Sequence, residues 1–198
     1  MGSVNKKVFE LANSELTYFD NLFSQPVAQQ WFVWLRDTLN WQQAELTVYG
    51  KKHKIPRLQA LYADEPLQYG YSGQLFTAQV WPQGLAQLAE LASDICQTRF
   101  NSVLANLYRD GRDSMGWHSD DERELGKRPV IVSFSFGAKR TFRLQHKLSK
   151  QQQDIELANG SCLVMAGDTQ AFWQHCLPVR KRVTTSRINL TYRLMQSI

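Results

Sequence analysis

Cysteine is scarce and poorly placed for a structural role. Cys96, Cys162 and Cys176 are far apart, and their number is odd. No CxxC spacing exists, so neither a disulfide scaffold nor a cysteine-based zinc site is expected. A reducing compartment fits that usage: the cytoplasm or nucleoid if the source is bacterial, the nucleus if eukaryotic. No apolar run approaches the ~18 residues of a membrane span. Lys6 and Lys7 are not followed by the apolar stretch of a secretory leader. Lys6 also stands where N-myristoylation needs a hydroxyl residue. Internal repeats and low-complexity segments are missing, as is any Ser/His/Asp nucleophile pattern. Secreted, membrane and fibrous classes are therefore excluded.

Neither sign of charge is missing. The 198 residues carry 23 Lys/Arg and 18 Asp/Glu, a net charge of +5. The excess is regional. Residues 1–100 hold 8 basic and 9 acidic side chains, and residues 101–198 hold 15 and 9. A basic balance favours a polyanionic partner. The length suits one domain.

The first 23 residues read as a mixed polar and aromatic arm. Residues 24–39 read as a helix, with Pro26 in its first turn and Val27, Trp31, Trp34, Leu35 and Leu39 as its core-facing stripe. Residues 46–49 look like a strand and Gly50 a turn. Lys51, Lys52, His53, Lys54 and Arg57 follow with no acid among them. This is either a basic hairpin with an aromatic near its tip or an edge strand guarded by lysines. A second helix spans 82–99, with Leu85, Leu88, Leu91 and Ile95 on one side. From there the period shortens towards two. Strands are expected at 103–108, 130–136, 141–145, 155–157, 162–165 and 187–194. Helices first and many short strands after favour a sandwich or jelly roll over alternating β-α-β units.

His118-Ser119-Asp120 is the first chemical signal. In an extended segment the imidazole and carboxylate, two residues apart, face the same way and can share a metal ion. His175 is the best third ligand. Two histidines and a carboxylate on a β scaffold suit non-haem Fe(II) oxygenase chemistry. His53 and His146 have no partner at such spacing and read as surface residues. The last strand alternates strictly. Ile188, Leu190, Tyr192 and Leu194 face one side; Arg187, Asn189, Thr191 and Arg193 face the other. The polar side is either a wetted face or a grip for a short dicarboxylate, each arginine taking one carboxylate. Asn106 and Tyr108 offer a similar polar face, or a plain strand end.

Together these residues resemble the AlkB family of Fe(II)- and 2-oxoglutarate-dependent dioxygenases. The resemblance runs from about Val48 to Leu194. It is carried by Pro56-Arg57-Leu58-Gln59-Ala60-Leu61-Tyr62, by Asn106-Leu107-Tyr108-Arg109-Asp110-Gly111, by Trp117-His118-Ser119-Asp120-Asp121-Glu122, by Ser133-Phe134-Ser135-Phe136-Gly137-Ala138, and by Arg187-Ile188-Asn189-Leu190-Thr191-Tyr192-Arg193. It implies a mainly β chain with N-terminal helices: a double-stranded β-helix, or jelly-roll, core over about 101–198, and helices plus a nucleotide-recognition lid over about 1–100. It implies iron held by His118, Asp120 and His175. It implies 2-oxoglutarate, the cosubstrate used with O2, held by Asn106, Tyr108, Arg187, Asn189 and Arg193. By analogy Arg187 meets the distal carboxylate and Arg193 the one beside the keto group.

Within the family the chain looks most like the members that repair alkylated DNA. Tyr49 then resembles the wedge that fills the gap of a flipped base, and Tyr71 the ring stacked on that base. Asp121 and Glu122 look like base-edge contacts, and Arg57 like a residue near the base or its phosphate. The implied reaction is oxidative demethylation of 1-methyladenine and 3-methylcytosine in DNA, releasing formaldehyde, succinate and CO2, by a monomer. The alternatives are the same chemistry on RNA or tRNA, a non-catalytic nucleic-acid-binding module, or a zinc protein with the same ligands. Free cations for phosphates are expected at Lys51, Lys52, Lys54 and Arg57, with Lys147, Lys150 and Arg180-Lys181-Arg182 as further candidates.

Overall fold

A computed structural model describes residues 5–48, 51–65, 68–71 and 74–196; for 46–48, 51, 68–71 and 74–77 it describes the backbone alone. The chain opens with a hairpin, β1 (Asn5–Phe9) and β2 (Glu15–Asp20), and helix α1 (Gln25–Thr38). Next come hairpin β3 (Glu45–Val48) and β4 (Lys51–Lys54), then β5 (Leu58–Ala63). A further hairpin, β6 (Gln68–Tyr71) and β7 (Gln74–Thr77), leads to β8 (Gln79–Val80) and helix α2 (Gln83–Cys96). The remainder is β9 (Ser102–Tyr108), β10 (Met115–His118), β11 (Ile131–Gly137), β12 (Arg140–His146), β13 (Gln152–Leu157) and β14 (Ser161–Ala166). The four-residue helix α3 (Thr169–Phe172), β15 (Trp173–Leu177) and β16 (Arg187–Arg193) close the chain.

Eight strands form one sheet, in the order β1-β2-β14-β11-β16-β9-β5-β8; four form a second, β10-β15-β12-β13. The two sheets make the expected jelly roll. Its core is wider than 101–198, because β1, β2, β5 and β8 all join the large sheet. The first residues are thus paired strand rather than an arm: β2 lies against β14, with Leu16 opposite Met165 and Tyr18 opposite Leu163. Leu16 and Tyr18 carry the reason. Both point inward on alternate positions and are buried between the sheets with Leu144, Ile155 and Trp173.

The helices cover the other face of the large sheet. Every residue of β16 is buried. Ile188, Leu190 and Tyr192 pack under α1 and α2 with Leu35, Leu85 and Leu88. The Tyr192 hydroxyl donates to the Leu85 carbonyl at 2.9 Å, fixing α2 to the strand. The buried stripe of α1 is Ala28, Phe32 and Leu35, rotated from the expected one. Val27 is exposed, and Trp31 and Trp34 sit at the rim, edge to face at 5.6 Å. The rotation has a cause in α2: Gly84 lies against the Trp34 ring, where a Cβ would come within 2.6 Å. The indole therefore seals the seam between the helices and leaves the sheet to Phe32. In α2, Leu85, Leu88, Ala89 and Ala92 are buried, and Leu91 and Ile95 pack at the margin.

Candidate active site

The polar face of β16 points into the space between the sheets. Asn189 stands opposite Asn106 of β9, and Arg187 opposite Tyr108. On the other flank Ser135 faces Asn189, and Ser133 faces Thr191. All of these side chains except Ser135 line a cavity with about 480 Å³ of empty volume, including its open mouth. The wetted-face alternative for β16 is thereby excluded.

The histidines come from the small sheet. His118, the last residue of β10, pairs with His175 of β15, and their rings lie 4.3 Å apart. Asp120 follows two residues on. Ligand atoms of His118, Asp120 and His175 all lie within 4.8 Å of one another. His118 Nδ1 donates to the Gly116 carbonyl at 2.9 Å, which leaves Nε2, 3.9 Å from Asp120, as its ligand atom. Asp120 is held twice: Arg193 Nη2 donates to its Oδ1 at 2.8 Å, and its own N–H donates to Gln170 Oε1 at 2.9 Å.

The electrostatics prepare this cluster for a cation. Burial alone would raise the Asp120 pKa; the Arg193 guanidinium and the two imidazoles outweigh it and bring it to about 2. Burial, with His118 adding to it, lowers His175 to about 3 against the pull of Asp120. An ionised Asp120 and an uncharged His175 are in the forms a metal ion requires. Two nitrogens and one carboxylate oxygen match the Fe(II) facial triad.

Arg187 is the anion-seeking group. Burial lowers its pKa to about 10, with Tyr108 opposing and Arg140 adding to the fall. Its Nη2 donates to Ser135 Oγ at 2.9 Å, and its buried Nε has no partner. A buried guanidinium with an unused donor fits a carboxylate ligand. Asn106 accepts through Oδ1 from Arg57 Nε and Gln59 Nε2, both at 3.0 Å, leaving its amide nitrogen as a donor. Asn189 donates to Ser133 Oγ at 2.7 Å and to the Phe134 carbonyl at 3.1 Å, so it ties β16 to β11 while lining the cavity.

The substrate candidates divide. Tyr49 lies outside the described residues. Tyr71 ends β6, and its side chain also lies outside them. Asp121 is exposed, 3.6 Å from Lys147 Nζ. Glu122 is half-buried, and its Oε2 is a buried acceptor without a partner. Arg57 is not a free surface cation. It is 5% exposed and bonded to Asn106 and to the Ser114 carbonyl, because it sits where the β3–β4 segment meets the cavity wall. Lys147 and Lys150 spend donors on main-chain carbonyls, and Arg180 leans on Thr141, while Lys181 and Arg182 are exposed. His146 is buried rather than at the surface. Its Nδ1 accepts the Leu148 and Ser149 N–H groups and so shapes the turn after β12.

Sequence reasoning missed Gln170, Ser133, Ser135 and Arg140. The two serines alternate with Phe134 and Phe136, a period-two signal that places them on the polar side. Gln170 has no such signal, since it acts across 50 residues.

A two-histidine, one-carboxylate cluster between jelly-roll sheets, beside a buried arginine with an unused donor, defines an iron oxygenase site that takes an acidic cosubstrate. The model of the 2OG-Fe(II) oxygenase superfamily matches residues 15–193. The DNA oxidative demethylase ALKBH2 of Mus musculus is 42% identical over 158 residues, covering 76% of this chain and 66% of that protein. The alpha-ketoglutarate-dependent dioxygenase alkB homolog 3 of Mus musculus is 43% identical over 150 residues, covering 70% and 51%. The chain thus spans between half and two thirds of the length of these relatives. The solved structure of OsALKBH1 superposes with a TM-score of 0.65 over 90% of this chain and 97% of that one, at 13% identity, and shares the fold. The chain belongs to the 2OG-Fe(II) oxygenase superfamily and, within it, to the AlkB family of dioxygenases. The residues present fit that family's Fe(II) and 2-oxoglutarate.

Proposed function

We propose that this protein removes N-alkyl groups from bases in DNA by oxidation, with 1-methyladenine and 3-methylcytosine as its substrates. The observation that carries the chemistry is the buried His118–Asp120–His175 cluster beside Arg187 with its unused donor. DNA as the substrate is supported by the similarity to ALKBH2, whose name is DNA oxidative demethylase. When bound, Fe(II) with 2-oxoglutarate and O2 supplies oxidation of the N-methyl carbon, which leaves as formaldehyde while the cosubstrate becomes succinate and CO2.

The chain's own residues bind, orient and tune. His118, Asp120 and His175 hold the metal. Arg187 and Tyr108, opposite one another on β16 and β9, receive the distal carboxylate of 2-oxoglutarate, and Asn106, two residues further along the same face, contacts the rest of the molecule. Asn189 holds the wall of that site. Arg193 is already bonded to Asp120, so the same guanidinium keeps the ligand ionised and presents positive charge to the carboxylate beside the keto group. Glu122 offers its unpartnered oxygen to the edge of the flipped base, where a carboxylate favours a methylated cationic base over a neutral one. Tyr49 fills the gap left in the duplex, Tyr71 stacks on the extruded ring, and Asp121 lies at its edge; Arg57 acts on the base through the wall it braces. The protein works as a monomer in the compartment that holds the genome.

The test is a substrate panel. Methylated oligonucleotides, single- and double-stranded, DNA and RNA, are incubated with Fe(II) and 2-oxoglutarate. Formaldehyde release from methylated DNA that requires both is the expected result. Turnover on RNA alone would replace the substrate, and no turnover on any oligonucleotide would sink the reading.

A further inference from the structure

The arginine end of the cavity holds a second cation that the reaction as derived does not use. Arg140, the first residue of β12, is 1% exposed. Its Nη1 donates to the Asp110 carbonyl at 3.1 Å, and its Nη2 to the carbonyls of Asp113 and Pro178, each at 2.9 Å. One guanidinium thus ties together the segment after β9 and the segment after β15. Those segments are already joined by main-chain bonds between Gly111 and Arg180 and between Gly111 and Val183. A Cβ at Gly111 would overlap the Arg180 carbonyl, so the seam has no slack.

Arg140 also packs on the ring that faces the cosubstrate. Its guanidinium carbon lies 5.7 Å from the centre of the Tyr108 ring, and that of Arg187 lies 5.4 Å from the same centre. Among the described residues no carboxylate forms an ion pair with either arginine. Two buried positive charges therefore share one aromatic ring, and the nearby carboxylates Asp113 and Asp110 act on Arg140 alone and without an ion pair, Asp113 being already paired with Arg109. Carbonyl dipoles compensate Arg140 only in part, and its Nε, like that of Arg187, is buried without a partner. Such a surplus is costly until an anion arrives. A ligand that brings a carboxylate to this end recovers that cost, and one that brings a methyl group does not.

We propose that Arg140 is a positioning residue that makes the cavity select a 2-oxo acid with a distal carboxylate: it fixes the Tyr108 ring and places a second buried positive charge close to Arg187. The proposal rests on the reading that the Arg187 end receives that distal carboxylate. Burial lowers the pKa of both arginines, and for Arg140 it outweighs the opposing pull of Asp113 and Asp110.

The measurement is ligand affinity with Mn(II) in place of iron, so that no turnover is involved. Dissociation constants for 2-oxoglutarate and for 2-oxopentanoate, which has a methyl group in place of the distal carboxylate, are taken by calorimetry. In the unsubstituted protein 2-oxoglutarate binds far more tightly. In Arg140→Met that preference falls about tenfold, while Mn(II) affinity is unchanged. Arg140→Gln, which keeps N–H donors for the carbonyls and lowers the risk of misfolding, gives the same fall. Arg140→Lys retains the charge and keeps the preference within about threefold. An unchanged preference in the folded Met or Gln variant overturns the proposal, as does equal weakening of both acids, which is the mark of a merely structural role. If the unsubstituted protein does not distinguish the two acids, the reading of the Arg187 end fails first and takes this one with it.

Discussion

Arg193 shows how much one side chain can settle. Its bond to Asp120 keeps that carboxylate ionised in a buried site, where desolvation would otherwise favour the acid. Asp120→Ala removes a ligand and leaves Arg193 facing a cavity. Turnover should vanish, and Mn(II) affinity, followed by electron paramagnetic resonance, should fall by more than about 100-fold. Gln170 acts one step further out, on the Asp120 N–H. Gln170→Leu should weaken Mn(II) binding by about 10-fold and leave the melting temperature within a few degrees. Unchanged metal affinity would remove Gln170 from the list of residues that orient the site. The ligands themselves were legible because HxD and a distant His are a spacing signal. Gln170 was not, since a hydrogen bond across 50 residues leaves no local pattern.

Elements carry the next set of effects. Strand β16 was legible on both faces, because strict alternation separated Ile188, Leu190 and Tyr192 from Arg187, Asn189 and Arg193. Strands β10 and β15 were not read, although they carry the histidines. β10 is four residues long with an irregular register against β15, and Trp117 beside His118 breaks any alternation. The stripe of α1 was misread by one position at Val27 and Trp31, since helical spacing alone admits Trp31 or Phe32, while Leu35 and Leu39 are buried as expected. The hairpin of β3 and β4 presents Lys52 and Lys54 to solvent. Replacing both with Glu should weaken duplex binding and lower the slope of log affinity against log salt by about 2, one per lost phosphate contact. A slope unchanged from the parent would remove the hairpin from the interface.

The segment after β9 answers to pH. Asp113 is nearly buried, which alone would raise its pKa, yet the side chain and main-chain N–H of Arg109 hold it below the usual carboxylate range. A depressed carboxylate contributes stability above its unfolded value near 3.9, and that contribution is lost as the pH falls below it. Melting temperatures of Asp113→Asn should therefore be lower than the parent's at pH 7, and the gap should close below about pH 4. A gap that stays constant with pH would mean that the ion pair is not what Asp113 contributes.

At the scale of the molecule, the large sheet is completed by its first two strands. β14 carries Leu163 and Met165 inward and is paired on one side by β11 and on the other by β2. A chain starting at residue 21 would leave that edge open and strip Leu16 and Tyr18 from the core. It should melt lower and scatter light on standing, because an unpaired apolar edge recruits other chains. A soluble, equally stable truncation would show the hairpin to be dispensable.

The same pairing sets a timetable for birth on the ribosome. Residues 15–20 find their partner only when 161–166 have been made. At ~5–20 residues per second the first hairpin therefore waits roughly 7–30 s with no neighbour to close against. During that interval the edge of β2 that β14 later covers stays open, while Lys6 and Lys7 flank only the outer strand β1.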